Sequence, residues 1–123
     1  MPSGRWNVTE ADTLARPYSM VYASPALEVL KSAAFEKWFD GLRDREAQAR
    51  VNARIRRLSL GNPGVVKAAG SGISEMRVDY GPGYRVYYAQ RGNALVLLCC
   101  GGDKRTQDAD IKRAIAIAKD WKR

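Results

Sequence analysis

The sequence predicts an α+β domain: a small antiparallel sheet with helices packed on one face, in the order β-α-α-β-β-β-α. Residues 73–102 contain three largely apolar segments separated by glycine-containing turns, which is typical of consecutive antiparallel strands. Residues 32–60 and 106–120 instead repeat apolar side chains every three or four positions, as amphipathic helices do. The 123 residues suit a single domain, which we expect to span residues 26–123.

The first elements follow from simple patterns. Residues 1–25 have no periodicity and are interrupted by prolines, so we expect a loose N-terminal extension. Ala26–Lys31 alternates in polarity and predicts the first strand. Ser32 is a suitable N-cap for the next helix. The apolar stripe of that helix has the spacing i, i+3, i+4, i+7 and consists of Phe35, Trp38, Phe39 and Leu42.

A second helix is expected from Asp44 to Leu60, after an interruption at Gly41. Its inner face consists of Ala47, Val51, Ile55 and Leu58. Another side carries Arg43, Arg50, Arg54 and Arg57. A charged helix face is commonly just solvated, but such a one-sided arginine stripe also suits phosphate binding. Gly61–Gly64 ends the helix, and Val65–Gly72, with Lys67, is expected to be a connecting loop.

The three following strands are predicted at Ile73–Tyr80, Tyr84–Gln90 and Ala94–Cys100. The first two alternate, so one face is apolar and the other carries arginine and tyrosine side chains. The third is apolar throughout, which predicts a central strand buried on both faces. We therefore expect the basic, aromatic face of the sheet to be the working surface.

The C-terminal part begins with Gly101–Arg105, which we expect to be a flexible turn carrying two cations. Thr106 can cap the last helix. The buried stripe of this helix is predicted to be Ile111, Ala114, Ile115 and Ala118.

The net charge of +8 arises entirely after residue 20 and favours a phosphate polymer or an acidic protein as partner. A merely basic, soluble surface is the other interpretation. The chain has no histidine, which excludes Ser-His-Asp, Cys-His and histidine-ligated zinc chemistry. We expect no metal and no cofactor, because no phosphate-binding glycine motif is present either.

The cellular location is also constrained by composition. No apolar segment approaches the roughly 20 residues that a membrane helix needs, and the N-terminus lacks the apolar region of a secretory signal. Cys99 and Cys100 are adjacent, so pairing them would require a strained ring, and we expect free thiols in a reducing compartment. The prediction is a cytoplasmic protein that does not contact the membrane.

Three segments resemble the RelE/ParE superfamily of type II toxin–antitoxin toxins, and more narrowly its HigB-like branch, the "addiction module killer proteins". They occur in order within residues 26–120: FEKWFDGLRDREAQARVNARIRRLSLGNPG, SEMRVDYGPGYRVYY and LVLLCCGGDKRTQDADIKRA. The resemblance implies a RelE-like fold and a ribosome-dependent mRNA endoribonuclease, with mRNA on the ribosome and ribosomal RNA as partners. It also implies a cognate antitoxin protein. The toxin is expected to contact operator DNA only through this antitoxin.

The resemblance further implies a metal-independent reaction in which the RNA's own 2′-OH attacks the neighbouring phosphate. The family's basic strand residues correspond to Arg77 and Arg85, and its basic residue after the last strand corresponds to Lys104. The catalytic C-terminal tyrosine of RelE has no counterpart, because Asp110 and Ile111 lie near that place, and Glu75 stands where a lysine is expected. Arginine forks can stabilise the phosphate charge, but their pKa is too high for ordinary base catalysis.

The base remains open among Asp103, Glu75, Lys104 and ribosomal RNA. Tyr84 and Tyr87 are candidates for stacking on RNA bases, although Tyr84 could equally pack in the core. Arg77 could simply pair with Glu75 or Asp79, and Asp103 could be a turn former. Other candidate RNA-binding residues are Arg50, Arg54, Arg57, Lys67 and Arg105.

Two alternative functions remain. ParE-type relatives share the fold but act on DNA gyrase and need no phosphate-binding cluster on the sheet. The second alternative is a non-toxic nucleic-acid-binding domain, for which we expect steeply salt-dependent RNA binding without cleavage. The cluster of Arg77, Arg85 and Lys104 favours the nuclease.

Overall fold

The computed structural model describes residues 27–121, so the predicted loose extension lies outside the described residues. The sheet has five strands: β1 (Glu28–Lys31), β2 (Val66–Gly70), β3 (Ile73–Val78), β4 (Tyr84–Arg91) and β5 (Leu95–Gly102). The α-helices are α1 (Ala33–Asp40), α2 (Arg45–Ser59) and α3 (Gln107–Lys119). A 3₁₀ turn, Lys104–Thr106, connects β5 to α3. The predicted α+β class is confirmed.

An antiparallel sheet was predicted, but the observed sheet is mixed. Its strand order is β1-β5-β4-β3-β2. β2 to β5 form antiparallel pairs, whereas β1 runs parallel to β5, with Glu28 opposite Leu95 and Lys31 opposite Leu98. Parallel neighbours need a long connection, and the chain between β1 and β5 supplies one. The prediction therefore failed on the direction of the first strand.

The predicted loop at Val65–Gly72 is also wrong, because most of it forms β2. This strand pairs antiparallel with β3 at the sheet edge, with Lys67 opposite Glu75. Gly70, Ser71 and Gly72 make the connecting turn, and all three have positive φ angles. β2 is mostly exposed and its sequence VKAAG does not alternate, so only the backbone pairing with β3 identifies it as a strand.

The helices lie on both faces of the sheet, which corrects the expectation of one helical layer. On the first face, Phe35, Val51 and Leu58 of α1 and α2 pack with Met76 and Val86 of the sheet. On the second face, α3 contributes Ala114, Ile111 and Ile115 to a core that contains Ile73, Tyr87, Leu97 and Cys99. β5 is consequently an interior strand buried from Val96 to Gly102, as its apolar sequence predicted.

Of the two predicted N-caps, Ser32 is confirmed and Thr106 is not, and Asp44 caps α2. The Ser32 hydroxyl accepts a hydrogen bond from the Phe35 amide at 3.0 Å, and Asp44 accepts one from the Glu46 amide at 2.9 Å. α1 ends at Gly41, as expected. Thr106 precedes α3 but does not cap it, because its hydroxyl donates to the Asp110 carboxylate at 2.6 Å.

Gly101 and Gly102 belong to β5 and are buried, so the predicted flexible turn begins only at Asp103. A Cβ atom at Gly101 would overlap the Trp38 indole, and one at Gly102 would overlap the Asp110 carboxylate. Glycine is needed because α1 and α3 approach the end of β5 closely from opposite faces. This packing fixes the point from which Lys104 leaves the sheet.

The two cysteines are free and buried, as predicted. Burial raises the pKa of Cys99 to about 11 and that of Cys100 to about 12. Both thiols are therefore neutral at physiological pH, and neutral thiols are poor nucleophiles. None of the helices within residues 27–121 has the length and apolar character that crossing a membrane requires.

Candidate functional site

A cleft at one end of β3 and β4 brings together three predicted site residues. Arg77 and Arg85 are directly opposite each other on these antiparallel strands, so their side chains leave the same face. Lys104 joins them from the turn after β5. We call this the strand cleft; it is lined by Arg77, Val78, Asp79, Gly83, Tyr84, Arg85 and Lys104.

A buried carboxylate lies between the two arginines. The Glu75 Oε2 atom is 3.4 Å from Arg77 Nε and 3.5 Å from Arg85 Nε. The Glu75 side chain is only 4% exposed, and that of Arg85 7%, whereas that of Arg77 is 58% exposed. Both distances exceed the usual N–H···O range of about 2.7–3.2 Å, so one oxygen is shared loosely by two cations. The ion pair between Arg77 and Glu75 that was considered from the sequence is thus present, and Glu75 also pairs with Arg85.

Arg85 is also held by the hairpin that precedes it. Its Nη1 donates to the Gly83 carbonyl. Gly83 has φ of 81°, and a Cβ there would lie 2.9 Å from Arg85 Nη1. Glycine thus provides both the turn and the room for the guanidinium. Arg85 is a fixed group at the base of the strand cleft, and Arg77 is an exposed one at its rim.

Asp103 serves the turn that presents Lys104. Its carboxylate accepts from the Arg105 amide at 2.8 Å and pairs with the Arg105 guanidinium at 3.0 Å. The hydrogen bond from the Arg105 side chain, helped by the one from its amide, holds the pKa of Asp103 below its ordinary value. A carboxylate with a lowered pKa is a weaker base, so these contacts favour the turn-forming role considered for Asp103.

A second cleft adjoins the strand cleft and shares Arg77, Val78 and Asp79 with it. We call it the helix cleft, because the arginines of α2 supply its other wall. Its remaining lining residues are Arg50, Ala53, Arg54, Arg57, Gly64 and Val65. Three of the four arginines of the predicted stripe, all except Arg43, thus share a cleft with Arg77. Asp79 is the acidic residue that lines both clefts.

The arginines of the helix cleft are not equivalent. Arg54 donates from Nε to the Arg77 carbonyl and from Nη2 to the Val65 carbonyl, both at 3.1 Å. Burial, together with nearby Arg57, lowers the pKa of Arg54. Arg50 pairs with Glu46 at 2.9 Å and lies over the Tyr80 ring. Arg54 therefore connects α2 to β3 and to the residue that precedes β2, and Arg57 is exposed one turn further on.

Replacing Arg54 with methionine should lower the free energy of unfolding by about 1–3 kcal/mol, because two carbonyls lose a charged donor. Arg57→Met, the matched control on the same helix, should change it by less than about 0.5 kcal/mol. Urea unfolding of both purified variants measures the difference. Equal stability of the two variants would contradict the structural role of Arg54.

The other predicted RNA-binding residues are dispersed. Tyr84 is half-buried, lines the strand cleft and packs edge-on against Trp38. Tyr87 is fully buried beneath α3, so its ring is not exposed for stacking on a base, contrary to the prediction. Burial, and then the nearby Glu75 charge, raise the pKa of Tyr87. Lys67 is exposed on β2 and Arg105 beside Asp103; neither is among the residues that line the two clefts.

The structure adds residues whose place at the site was not predicted. Gly83 accommodates Arg85, and Asp79 lines both clefts. Glu75 was considered only as a base or as a partner of Arg77, yet it lies between both arginines. Its position within an alternating strand, on the same face as Arg77, was the available signal.

The fold and the two clefts define a small, basic α+β protein with two adjoining arginine-lined clefts. Residues 37–123 match the family model described as "Phage derived protein Gp49-like (DUF891)", and the chain belongs to this family. It is also similar to an uncharacterized protein of Haemophilus influenzae, with 45% identity over 94 residues. That alignment covers 76% of this chain and 95% of the Haemophilus protein. Both clefts lie within the family match.

Proposed function

We propose that this protein is the toxin of a type II toxin–antitoxin pair, in the RelE/ParE superfamily, and that it is a ribosome-dependent mRNA endoribonuclease. The observation that carries the proposal is the convergence of Arg77, Arg85 and Lys104 on one cleft. Membership of the Gp49-like family supports the toxin class, since this family is related to the RelE and HigB toxins. A cognate antitoxin would be the inhibitory partner.

The proposed reaction is an intramolecular transesterification at a phosphodiester of the RNA. The 2′-oxygen attacks phosphorus, the bond to the 5′-oxygen breaks, and a 2′,3′-cyclic phosphate forms. The 2′-proton leaves to a base, and the departing 5′-oxygen takes up a proton. Negative charge increases on the phosphate oxygens during this step, so fixed cations facing them lower the barrier. Buried Arg85 and the rim cations Arg77 and Lys104 suit that role.

The contacts of Asp103 and Glu75 make both residues unsuitable as the general base that takes the 2′-proton. Asp103 is engaged by Arg105 and has a lowered pKa, which weakens it as a base. Glu75 is nearly buried between two guanidiniums, which leaves little room for a substrate hydroxyl at its oxygens. Lys104, exposed beside the cleft, and ribosomal RNA are the remaining candidates, and we favour them.

The test is 5′-end mapping of cellular mRNAs soon after induction of the wild type and of Arg85→Ala in parallel. We expect cuts within translated frames for the wild type and none for the variant, because Arg85 is the fixed cation of the cleft. Growth arrest with intact mRNA and damaged DNA would instead support a ParE-like action on gyrase. Neither cuts nor arrest would support a non-toxic nucleic-acid-binding domain.

A further inference from the structure

The carboxylate inside the strand cleft is the feature that phosphate binding alone does not explain. A site for an anionic polymer gains from positive charge, yet Glu75 places a negative charge at the point where Arg77 and Arg85 meet. Its side chain is almost fully buried, and buried charges are usually retained only with close partners. The partners of Glu75 are the very groups that should bind phosphate.

The hydrogen bonds around Glu75 are incomplete in a specific way. Two buried side-chain atoms, Arg85 Nε and Tyr87 Oη, have no hydrogen-bond partner within residues 27–121. Tyr87 is directly opposite Glu75 on the neighbouring strand, and Arg85 Nε is 3.5 Å from its Oε2. Unpaired buried donors are costly, so both would gain from closer contact with this carboxylate. The loose contact with Arg77 occupies the same oxygen that faces Arg85.

We propose that Glu75 is a positioning residue. It restrains Arg77 in the free protein, and it accepts hydrogen bonds from Arg85 and Tyr87 instead when Arg77 binds a phosphate of RNA. Arg77 is the partner able to leave, because its side chain is largely exposed whereas those of Arg85 and Tyr87 are buried. Release of Arg77 lets the carboxylate approach its two unpaired neighbours. Binding of the substrate then tightens the position of Arg85. The inference rests on the proposed function only in taking RNA as the source of the phosphate.

This role predicts opposite effects on affinity and turnover. Glu75→Gln removes the negative charge and the restraint on Arg77, so the affinity for RNA should rise at least about threefold. The slope of log K against log salt should be nearly the same in both proteins, because Arg77 contacts the phosphate in each complex. Turnover in ribosome-dependent cleavage should fall by about 10- to 100-fold, because a loosely held Arg85 no longer meets the reacting phosphate correctly. A purely structural residue would not raise affinity while lowering turnover.

The binding experiment uses the full chain and a 2′-O-methyl oligouridine, which lacks the attacking hydroxyl, titrated by fluorescence anisotropy at several salt concentrations. Glu36→Gln is the matched control, since it removes the same charge from an exposed position on α1. Glu75→Asp is the second variant, because it keeps the charge but has a shorter reach. We expect tighter binding only for Glu75→Gln and lower turnover for both Glu75 variants.

Arginine side-chain NMR follows the positioning independently of cleavage. In the wild type, saturation with the oligonucleotide should slow hydrogen exchange at Arg85 Nε and shift its signal, and Glu75→Gln should abolish that change. If these changes occur but the wild type cuts no mRNA, the inference holds and the nuclease proposal fails. Unchanged Arg85 signals on binding, or equal affinity gains in Glu75→Gln and Glu36→Gln, would overturn the inference.

Discussion

Arg85→Ala should reduce ribosome-dependent mRNA cleavage by about 10²- to 10³-fold, the usual effect of losing one preorganised donor to a transition-state anion. Arg85 donates to the Gly83 carbonyl and lies beside Glu75, so its guanidinium needs little further ordering to meet the phosphate. The measurement is cleavage by the purified variant in a reconstituted translation reaction. Growth arrest after induction should be lost in parallel.

The control for this prediction must separate lost chemistry from lost folding. Alanine at position 85 leaves the buried Glu75 carboxylate with Arg77 as its remaining partner, which should destabilise the fold by about 1–3 kcal/mol. Glu75→Gln combined with Arg85→Ala removes this buried charge, so stability should recover while cleavage stays lost. Lys112→Ala, which removes one exposed cation from α3, should cleave normally. A folded Arg85→Ala variant with full cleavage would refute the proposed site.

The local elements were predictable because their signals are local. The stripe of α2 needs only the spacing of Ala47, Val51, Ile55 and Leu58, and all four are buried as expected. Ser32 caps its helix as predicted, through a bond to the amide three positions on, and Asp44, predicted as the start of α2, is its N-cap. The strand alternation likewise placed Arg77 and Arg85 on one face, whereas the inclusion of Lys104 came from the family resemblance.

The failures concern relations between distant segments. β2 is an exposed edge strand defined by pairing with β3, and no hydrophobic pattern marks it. The stripe of α3 shows that one side of the helix is buried, but not against which face of the sheet. One clue was available: a strand as apolar as β5 needs cover on both faces, which is inconsistent with a single helical layer. That cover is α3, and it also explains why Tyr87 is buried.

The chemistry of the site was harder to predict than its location. The sequence indicated three cations, whereas their unequal exposure depends on packing between neighbouring strands and turns. Arg85 became a buried, oriented group and Arg77 an exposed one through this packing. The same limit applies to Gly101 and Gly102, whose dipeptide suggested a flexible turn although both residues are buried in β5.

Gly101→Val should be among the most destabilising single substitutions in the described part of the chain. Overpacking a well-packed core costs about 1–3 kcal/mol and occasionally more, and even a Cβ at this position would overlap the Trp38 ring. The indole cannot move freely, because it also packs against Phe35 and Tyr84. The expected result is a loss at or above the upper end of that range. Thermal and urea unfolding of the purified variant measure it.

A double-mutant cycle with Trp38→Ala tests whether the indole is the cause. Trp38→Ala alone should destabilise the protein, but Gly101→Val should cost less in that background by about 0.5–3 kcal/mol, because the space is then open. Ala94→Val, an exposed change just before β5, should be nearly neutral. Additive effects of the two substitutions would mean that Trp38 does not constrain Gly101. Coupling between them would show that α1 holds the end of β5, and hence the turn that presents Lys104, at a fixed distance from the two arginines.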